Sequence, residues 1–340
     1  MKRTLSLLLV CLLLCGCTAT DVNFERKTYE ATFLTLFDTV TVIKGAAESK
    51  DAFSEIAHTI HDDLLEYHQL FDIYNDYDGI QNLKTINDQA GITPVKVNRK
   101  IIDLLLDCKA YYDLSDGKVN VALGSVLYLW HKARNDGIND PVNARLPDIE
   151  QLKEASLHTD FDSIVIDEVN STVYISDPKV RLDVGAVAKG WSVQRVAESA
   201  PEGLLISVGG NVCATGPKDE NNTPWVIGIQ NPRGDDYLHT VYVSKTSVVT
   251  SGDYQRSYAV DGKLYHHIID PVTLYPSTYW RSVTIVCDDS GLADALSTAL
   301  FLLPLEDGQM LIDQCSAEAM WVDADGNQYY SSGFEALIRT

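Results

Sequence analysis

LLISV (Leu204 to Val208), WVIGIQ (Trp225 to Gln230), HTVYV (His239 to Val243), a longer run over Ser257 to Ile269, and SVTIV (Ser282 to Val286) follow one another without a helical segment between them. Each is rich in β-branched and aromatic residues and ends near Gly, Pro, Asn or Asp, the pattern of strands joined by turns. Parallel neighbours would need crossover connections of roughly a dozen residues, so these strands are predicted to pair antiparallel. The Asp261-Gly262 dipeptide inside the longest run marks a hairpin turn.

Helical periodicity lies on either side of this block. Between Ser49 and Phe71 the apolar residues Phe53, Ile56, Ala57, Ile60, Leu64 and Phe71 recur at helical spacing with charges between them. Asn98 reads as the N-cap of a helix running to Leu114, with Gly117 beyond its end. Further helices are predicted over Gly124 to Arg134, after Pro147-Asp148, over Ala186 to Ser199 and over Ala293 to Leu303. Ser163 to Ser176 reads as two strands around Val169-Asn170-Ser171, Arg181 to Val184 as a short strand feeding a helix, and Ala319 to Tyr330 as a terminal hairpin. Segregated helices and strands give an α+β fold of mostly antiparallel sheets with packed helices. No linker rich in Pro, Gly or Ser divides residues 29–340, so one compact unit of two intimately joined halves is expected.

The amino terminus has a separate character. Lys2 and Arg3 precede an apolar run from Leu7 to Leu14 and then Cys15-Gly16-Cys17, the layout of a bacterial lipoprotein secretion signal. The run is too short to span a bilayer as a permanent helix. Residues 1–16 are expected to be removed, the Cys17 thiol acylated, and residues 17–28 to act as a polar tether for an extracytoplasmic, membrane-anchored body. The formal charge is −21, and removal of Lys2 and Arg3 takes it to −23. Such a chain repels nucleic acid and anionic lipid, so an anionic ligand must be met locally by a metal ion, a few cations or backbone N–H groups. Beyond the signal and anchor, Cys108, Cys213, Cys287 and Cys315 lack metal-ligand spacing and read as buried core residues.

Three segments carry candidate chemistry. In LDVGAVAKG (Leu182 to Gly190) a strand ends in Asp183, Gly185 permits a tight turn and a helix begins near Ala186 beside Lys189. Free N–H groups and a cation meeting at one point suit a diphosphate, although a plain strand-to-helix turn with a solvated lysine has the same pattern. Asp294 and Thr298 lie one helical turn apart in ADALSTALF (Ala293 to Phe301), placing a carboxylate and a hydroxyl on one face. These are hard oxygen ligands of the kind magnesium takes, or else a helix-start carboxylate and a back-bonded threonine. The Asp261-Gly262 turn brings SGDYQR (Ser251 to Arg256) close to HHIIDP (His266 to Pro271), where a histidine at a strand end suits a general base and equally a structural role. Gly209 and Gly210 after Val208 permit close backbone approach to a ligand or a tight turn. Dinucleotide-fold, P-loop and serine-hydrolase motifs are absent from the sequence.

Taken in order, LDVGAVAKG, ISVGGNV (Ile206 to Val212), SGDYQR, HHIIDP and ADALSTALF resemble the FAD:protein FMN transferases, the ApbE-type flavin transferases, from about Thr32 to Leu303. The resemblance implies the T-fold-like ApbE architecture, with magnesium held by Asp294, Thr298 and the carbonyl of Ala186. It implies FAD contacts at Phe37, Thr39, Tyr74, Asn120, Val121, Ala122, Asp183, Lys189, Gly209, Gly210, Ser251, Gly252, Asp253, Arg256 and His267, with His267 as catalytic base beside Asp294. It further implies that FMN passes from FAD to a threonine or serine of a partner bearing an Asp-Gly-x-Ser/Thr-Gly-Ala-Thr motif, with release of AMP. No such motif occurs in this chain, so the acceptor is expected to be a separate protein, a membrane electron-transfer subunit with an FMN-binding domain. The same site would serve a magnesium-dependent FAD pyrophosphatase, and a lipid-tethered flavin-binding protein without chemistry is the reading from another class. Departures from the family pattern fall at Phe37-Asp38, Asn120, Ser125 and Leu274.

Overall fold

The computed structural model describes residues 26–339; the predicted signal segment, Cys17 and most of the predicted tether lie outside the described residues. Strands β1 (Lys27–Phe33) and β2 (Thr41–Ala47) form an antiparallel pair. Helix α1 (Lys50–Phe71) follows, its first turn closed by Ser49, whose hydroxyl accepts the Ala52 N–H at 3.1 Å. It buries Phe53, Ala57, Ile60 and Leu64, the stripe read from the sequence. Next come α2 (Leu83–Asp88), β3 (Val95–Lys96), α3 (Arg99–Leu114) and α4 (Gly124–Asn139). Asn98 caps α3, and Asp148 caps α5 (Ile149–Ser156) by accepting two N–H groups, from Glu150 and Gln151. Strands β4 (Ile164–Asp167) and β5 (Thr172–Ile175) lead to α6 (Ala188–Ser199).

The strand-rich block then supplies β6 (Leu204–Val208), β7 (Asn211–Ala214), β8 (Trp225–Gln230) and β9 (Tyr237–Val243). It continues with β10 (Ser247–Gly252), β11 (Ser257–Val260), β12 (Lys263–His266) and β13 (Ser282–Cys287). Helices α7 (Ser290–Phe301) and α8 (Leu305–Ile312) precede the hairpin β14 (Ala317–Val322) and β15 (Gln328–Tyr330).

Eight strands form the main sheet, in the order β1-β2-β6-β7-β10-β13-β14-β15, all pairings antiparallel. Helices α1, α6 and α7 pack on one face and the β8–β9 hairpin on the other. Along β13 the period of two is visible: Val283, Ile285 and Cys287 join the core under the helices, and Val286 joins the core under the hairpin. A third apolar cluster seats α4 against β11 through Trp130, Tyr258 and Leu274. The four described cysteines are free thiols.

Two expectations are corrected. Arg181–Val184 is extended but is not a strand, apart from one parallel bridge between Arg181 and Leu123. Its backbone is met by a helix side chain and a loop instead: Leu182 N–H donates to Asn87 Oδ1 of α2 at 2.7 Å and Asp183 N–H to the Val121 carbonyl at 2.8 Å. Ser251 and Gly252, read as loop, end strand β10, and the run over Ser257–Ile269 is the β11–β12 hairpin, ending at His266. Elements β1, β2, β3, β7, β10, α2 and α8 lie outside the segments predicted from the sequence.

Candidate active site

The start of α6, the middle of α7, the β6–β7 turn, the end of β10, the residues after β12 and one side of α4 surround a cleft of about 710 Å³. Its floor is set by a backbone contact between α6 and α7. Gly190 lies so close to α7 that a Cβ there would stand 2.3 Å from the Ser290 carbonyl oxygen and 2.5 Å from the Asp294 Cβ. The Gly190 N–H, one of the unpaired donors of the helix start, donates to Asp294 Oδ2 at 2.9 Å. Lys189 Nζ is 3.7 Å from the same oxygen and donates to the Gly185 carbonyl at 3.4 Å. Asp294 is 3% exposed, and among the described residues its Oδ1 accepts no hydrogen bond. Ser297 donates to the Asp294 carbonyl, so its hydroxyl must accept the proton of Ser251, 2.8 Å away, which pins β10 to α7.

Asp183 closes the turn before α6 by accepting the Gly185 N–H at 2.9 Å, and its other oxygen lies 3.8 Å from His131 Nδ1. The Tyr74 hydroxyl is 2.9 Å from the same ring nitrogen. Burial, against the pull of the Asp183 carboxylate, holds His131 below the ordinary imidazole range, while Tyr74 is pushed up to about 12 by desolvation and by Asp183. The phenol can donate to this nitrogen or accept from it, so the contact ties Tyr74 to His131 in either ring tautomer. The Tyr74 side chain is 58% exposed overall, yet its hydroxyl end is turned into this network at the cleft wall.

Phe37 and Asp38 hold left-handed backbone, φ 52° and 53°, which costs non-glycine residues about 1–2 kcal/mol each. The Phe37 N–H donates to His68 Nδ1 at 3.2 Å and buried Leu36 anchors the segment. Gly209 and Gly210, φ +56° and +94°, make the two-residue turn between β6 and β7. A Cβ on Gly209 would lie 2.6 Å from Thr39 Oγ1, so the turn also packs tightly on Thr39.

His267 lines the opposite wall. Burial first, then Arg256, His266, Lys189 and Arg134, push its imidazole down to about 3. Among the described residues its Nδ1 is buried without a partner. Its neighbour His266 is structural: Nε2 donates to the Ser277 carbonyl at 2.7 Å and Nδ1 accepts the Ile268 N–H.

Phe37, Thr39, Tyr74, Asn120, Val121, Asp183, Ala186, Lys189, Gly209, Gly210, Ser251, Gly252, Arg256, His267, Asp294 and Thr298 thus line one cleft. Two predicted contacts do not. Ala122 is fully buried behind Asn120, whose amide is occupied by the Ala122 N–H and the Thr159 carbonyl. Asp253 turns away to pair with Arg281 at 2.7 Å. His68, Lys118, His131 and Arg134 line the cleft as well, with no local signal in the sequence that points to it.

Among the described residues no three His, Cys, Asp or Glu side chains cluster as a metal cage. The oxygens lining the cleft are of another kind: Asp294, with one carboxylate oxygen free of hydrogen bonds among the described residues, lies there with Thr298 and Ala186. A small set of hard oxygens suits magnesium, which keeps waters and takes substrate phosphates to complete its shell.

The sequence profile of the ApbE family matches residues 35–321. An FAD:protein FMN transferase of Treponema pallidum is 34% identical over 277 residues, covering 76% of this chain and 75% of that protein. One from Vibrio cholerae is 26% identical over 99% of both chains. Among solved structures, an ApbE protein of Thermotoga maritima is similar at a TM-score of 0.81 and 30% identity, covering 92% of this chain and 100% of the other. The flavin transferase ApbE of Vibrio cholerae shares the fold at a TM-score of 0.75 and 22% identity, over 92% and 99% of the two chains.

Proposed function

Since this chain belongs to the ApbE family and is a flavin-transferring enzyme, we propose that it moves FMN from FAD onto a threonine or serine hydroxyl of a separate protein and releases AMP. The observation that carries this reading is the meeting of Gly190 N–H, Lys189 and Asp294 on the cleft floor, across from a neutral His267. A dinucleotide's diphosphate enters an acidic protein only where such groups neutralise it.

The acceptor oxygen attacks the FMN-side phosphorus, the bridging P–O bond breaks, and AMP leaves with the bridging oxygen and its electron pair. His267 takes the hydroxyl proton. In the free protein it is a weak base because burial and nearby cations disfavour its charged form; a bound diphosphate offsets those cations and raises its basicity. Lys189 holds the phosphoryl oxygens, so catalysis is mainly alignment and charge neutralisation. Asp294, Thr298 and the Ala186 carbonyl would hold magnesium, which supplies neutralisation of the diphosphate and of the departing oxygen. On this reading the chain is exported, cleaved before Cys17 and lipid-anchored, and its acceptor is a membrane electron-transfer subunit with an FMN-binding domain.

Incubation with FAD, magnesium and an acceptor domain bearing the Asp-Gly-x-Ser/Thr-Gly-Ala-Thr motif tests the proposal. Flavin fluorescence on the denatured acceptor band is the expected result. Free FMN and AMP with an unlabelled acceptor would make the enzyme a pyrophosphatase, and unaltered FAD would leave only binding.

A further inference from the structure

Arg134 on α4 and Arg256 between β10 and β11 line the same cleft, and neither pairs with a carboxylate among the described residues. The other cations of the cleft are met: Lys189 by Asp294 at 3.7 Å and Lys118 by Asp270 at 3.1 Å. In a chain with 48 acidic and 27 basic side chains, two arginines lining one cleft without a carboxylate partner among the described residues are unexpected. Burial and the Arg256 charge both work against the charge on Arg134. Two like charges on a partly desolvated wall cost free energy unless an anion joins them.

The fold fixes this arrangement. Trp130 Nε1 donates to the Leu274 carbonyl at 2.9 Å, and Gly137 lies so close to the Tyr258 ring that a Cβ would stand 2.8 Å from it. These contacts set α4 against β11, so Arg134, one turn on from His131, is carried toward Arg256 and the cleft.

We propose that Arg134 and Arg256 form a second anion subsite, separate from the oxygen donors around Asp294, that takes phosphoryl oxygens of the bound dinucleotide. This rests on the flavin-transfer reading above. Guanidinium groups match phosphoryl oxygens with paired donors, and two of them suit a charge that spreads over several oxygens. Lys189, His267, Arg134 and Arg256 line one cleft, so a diphosphate held between the two cationic ends would pass beside His267.

Equilibrium binding to the full chain, without acceptor and with divalent metal chelated, tests the subsite using FAD, inorganic pyrophosphate and riboflavin. Loss of one charge-assisted contact is expected to weaken FAD and pyrophosphate about tenfold in R134Q. R134K should recover part of that loss and also serves if R134Q fails to fold, and riboflavin, which has no phosphate, should bind all forms equally. The salt dependence of FAD binding should flatten in R134Q. Equal FAD and pyrophosphate affinity in wild type and R134Q would overturn the subsite, including the case in which only the acceptor's KM rises and the arginines read a carboxylate on the partner protein. Arg134-dependent binding of pyrophosphate without binding of FAD would instead sink the flavin reading and leave the subsite standing.

Discussion

Replacing Gly190 by alanine probes the contact on which the cleft floor depends. The added Cβ would meet the Ser290 carbonyl oxygen at 2.3 Å and the Asp294 Cβ at 2.5 Å, and neither is the end of a flexible side chain. Ordinary contact begins at about 3.4 Å, so α6 and α7 must separate by roughly 1 Å, with overpacking of this kind costing about 1–3 kcal/mol. At an unfolding entropy near 2 cal/mol/K per residue over 340 residues, each kcal/mol is worth about 1.5 °C, so the melting temperature is expected to fall by roughly 2–5 °C. The same separation stretches the 2.9 Å bond from Gly190 N–H to Asp294, and a misplacement of about 1 Å at a reacting centre costs on the order of 100-fold in rate. Thermal unfolding and fluorescence of the labelled acceptor measure the two effects on the same preparation. An unchanged melting temperature with full transfer would refute the claim that these helices touch at the backbone and that the contact sets the site.

His267, held down to about 3 in the folded chain against about 6.5 unfolded, binds fewer protons folded than unfolded between those values. Its contribution to stability is therefore complete above about pH 6.5 and declines as pH falls toward 3, by up to about 1.4 kcal/mol per pH unit. Unfolding of H267F across pH 4–7 should show a shallower slope than wild type; parallel slopes would contradict the assignment. Thr298→Val removes one hard oxygen and keeps the shape, so the magnesium concentration for half-maximal transfer should rise about tenfold, with T298S close to wild type. Equal magnesium requirements in all three would remove Thr298 from the ligand set.

The legible parts of the fold were those whose physics is local. The stripe of α1, the Asn98 cap and the Asp261-Gly262 turn depend on neighbours a few residues away. Strand β10 escaped notice because it lies between β7 and β13 and is buried on both faces at Val248 and Val249, so it has no alternation to read. Strand β2 does alternate in burial, but Lys44 and Gly45 interrupt its apolar run. At the site, most of the motif residues line one cleft, yet Asp253 is turned by Arg281, which lies 28 positions on and has no signal in the motif. Arg134 and His131 were hidden for the converse reason: on a helix read alone, charged residues three apart mark a solvent face. Only the seating of α4 on Tyr258 turns them inward.

The most direct measurement is FMN transfer to an acceptor domain by wild type and D294N, followed across a magnesium titration. The asparagine keeps an oxygen for the Gly190 N–H and removes the charge, so the fold should persist while magnesium-dependent labelling drops on the order of 100-fold or more. Labelling by D294N at the wild-type rate and wild-type magnesium requirement would contradict the account at its centre.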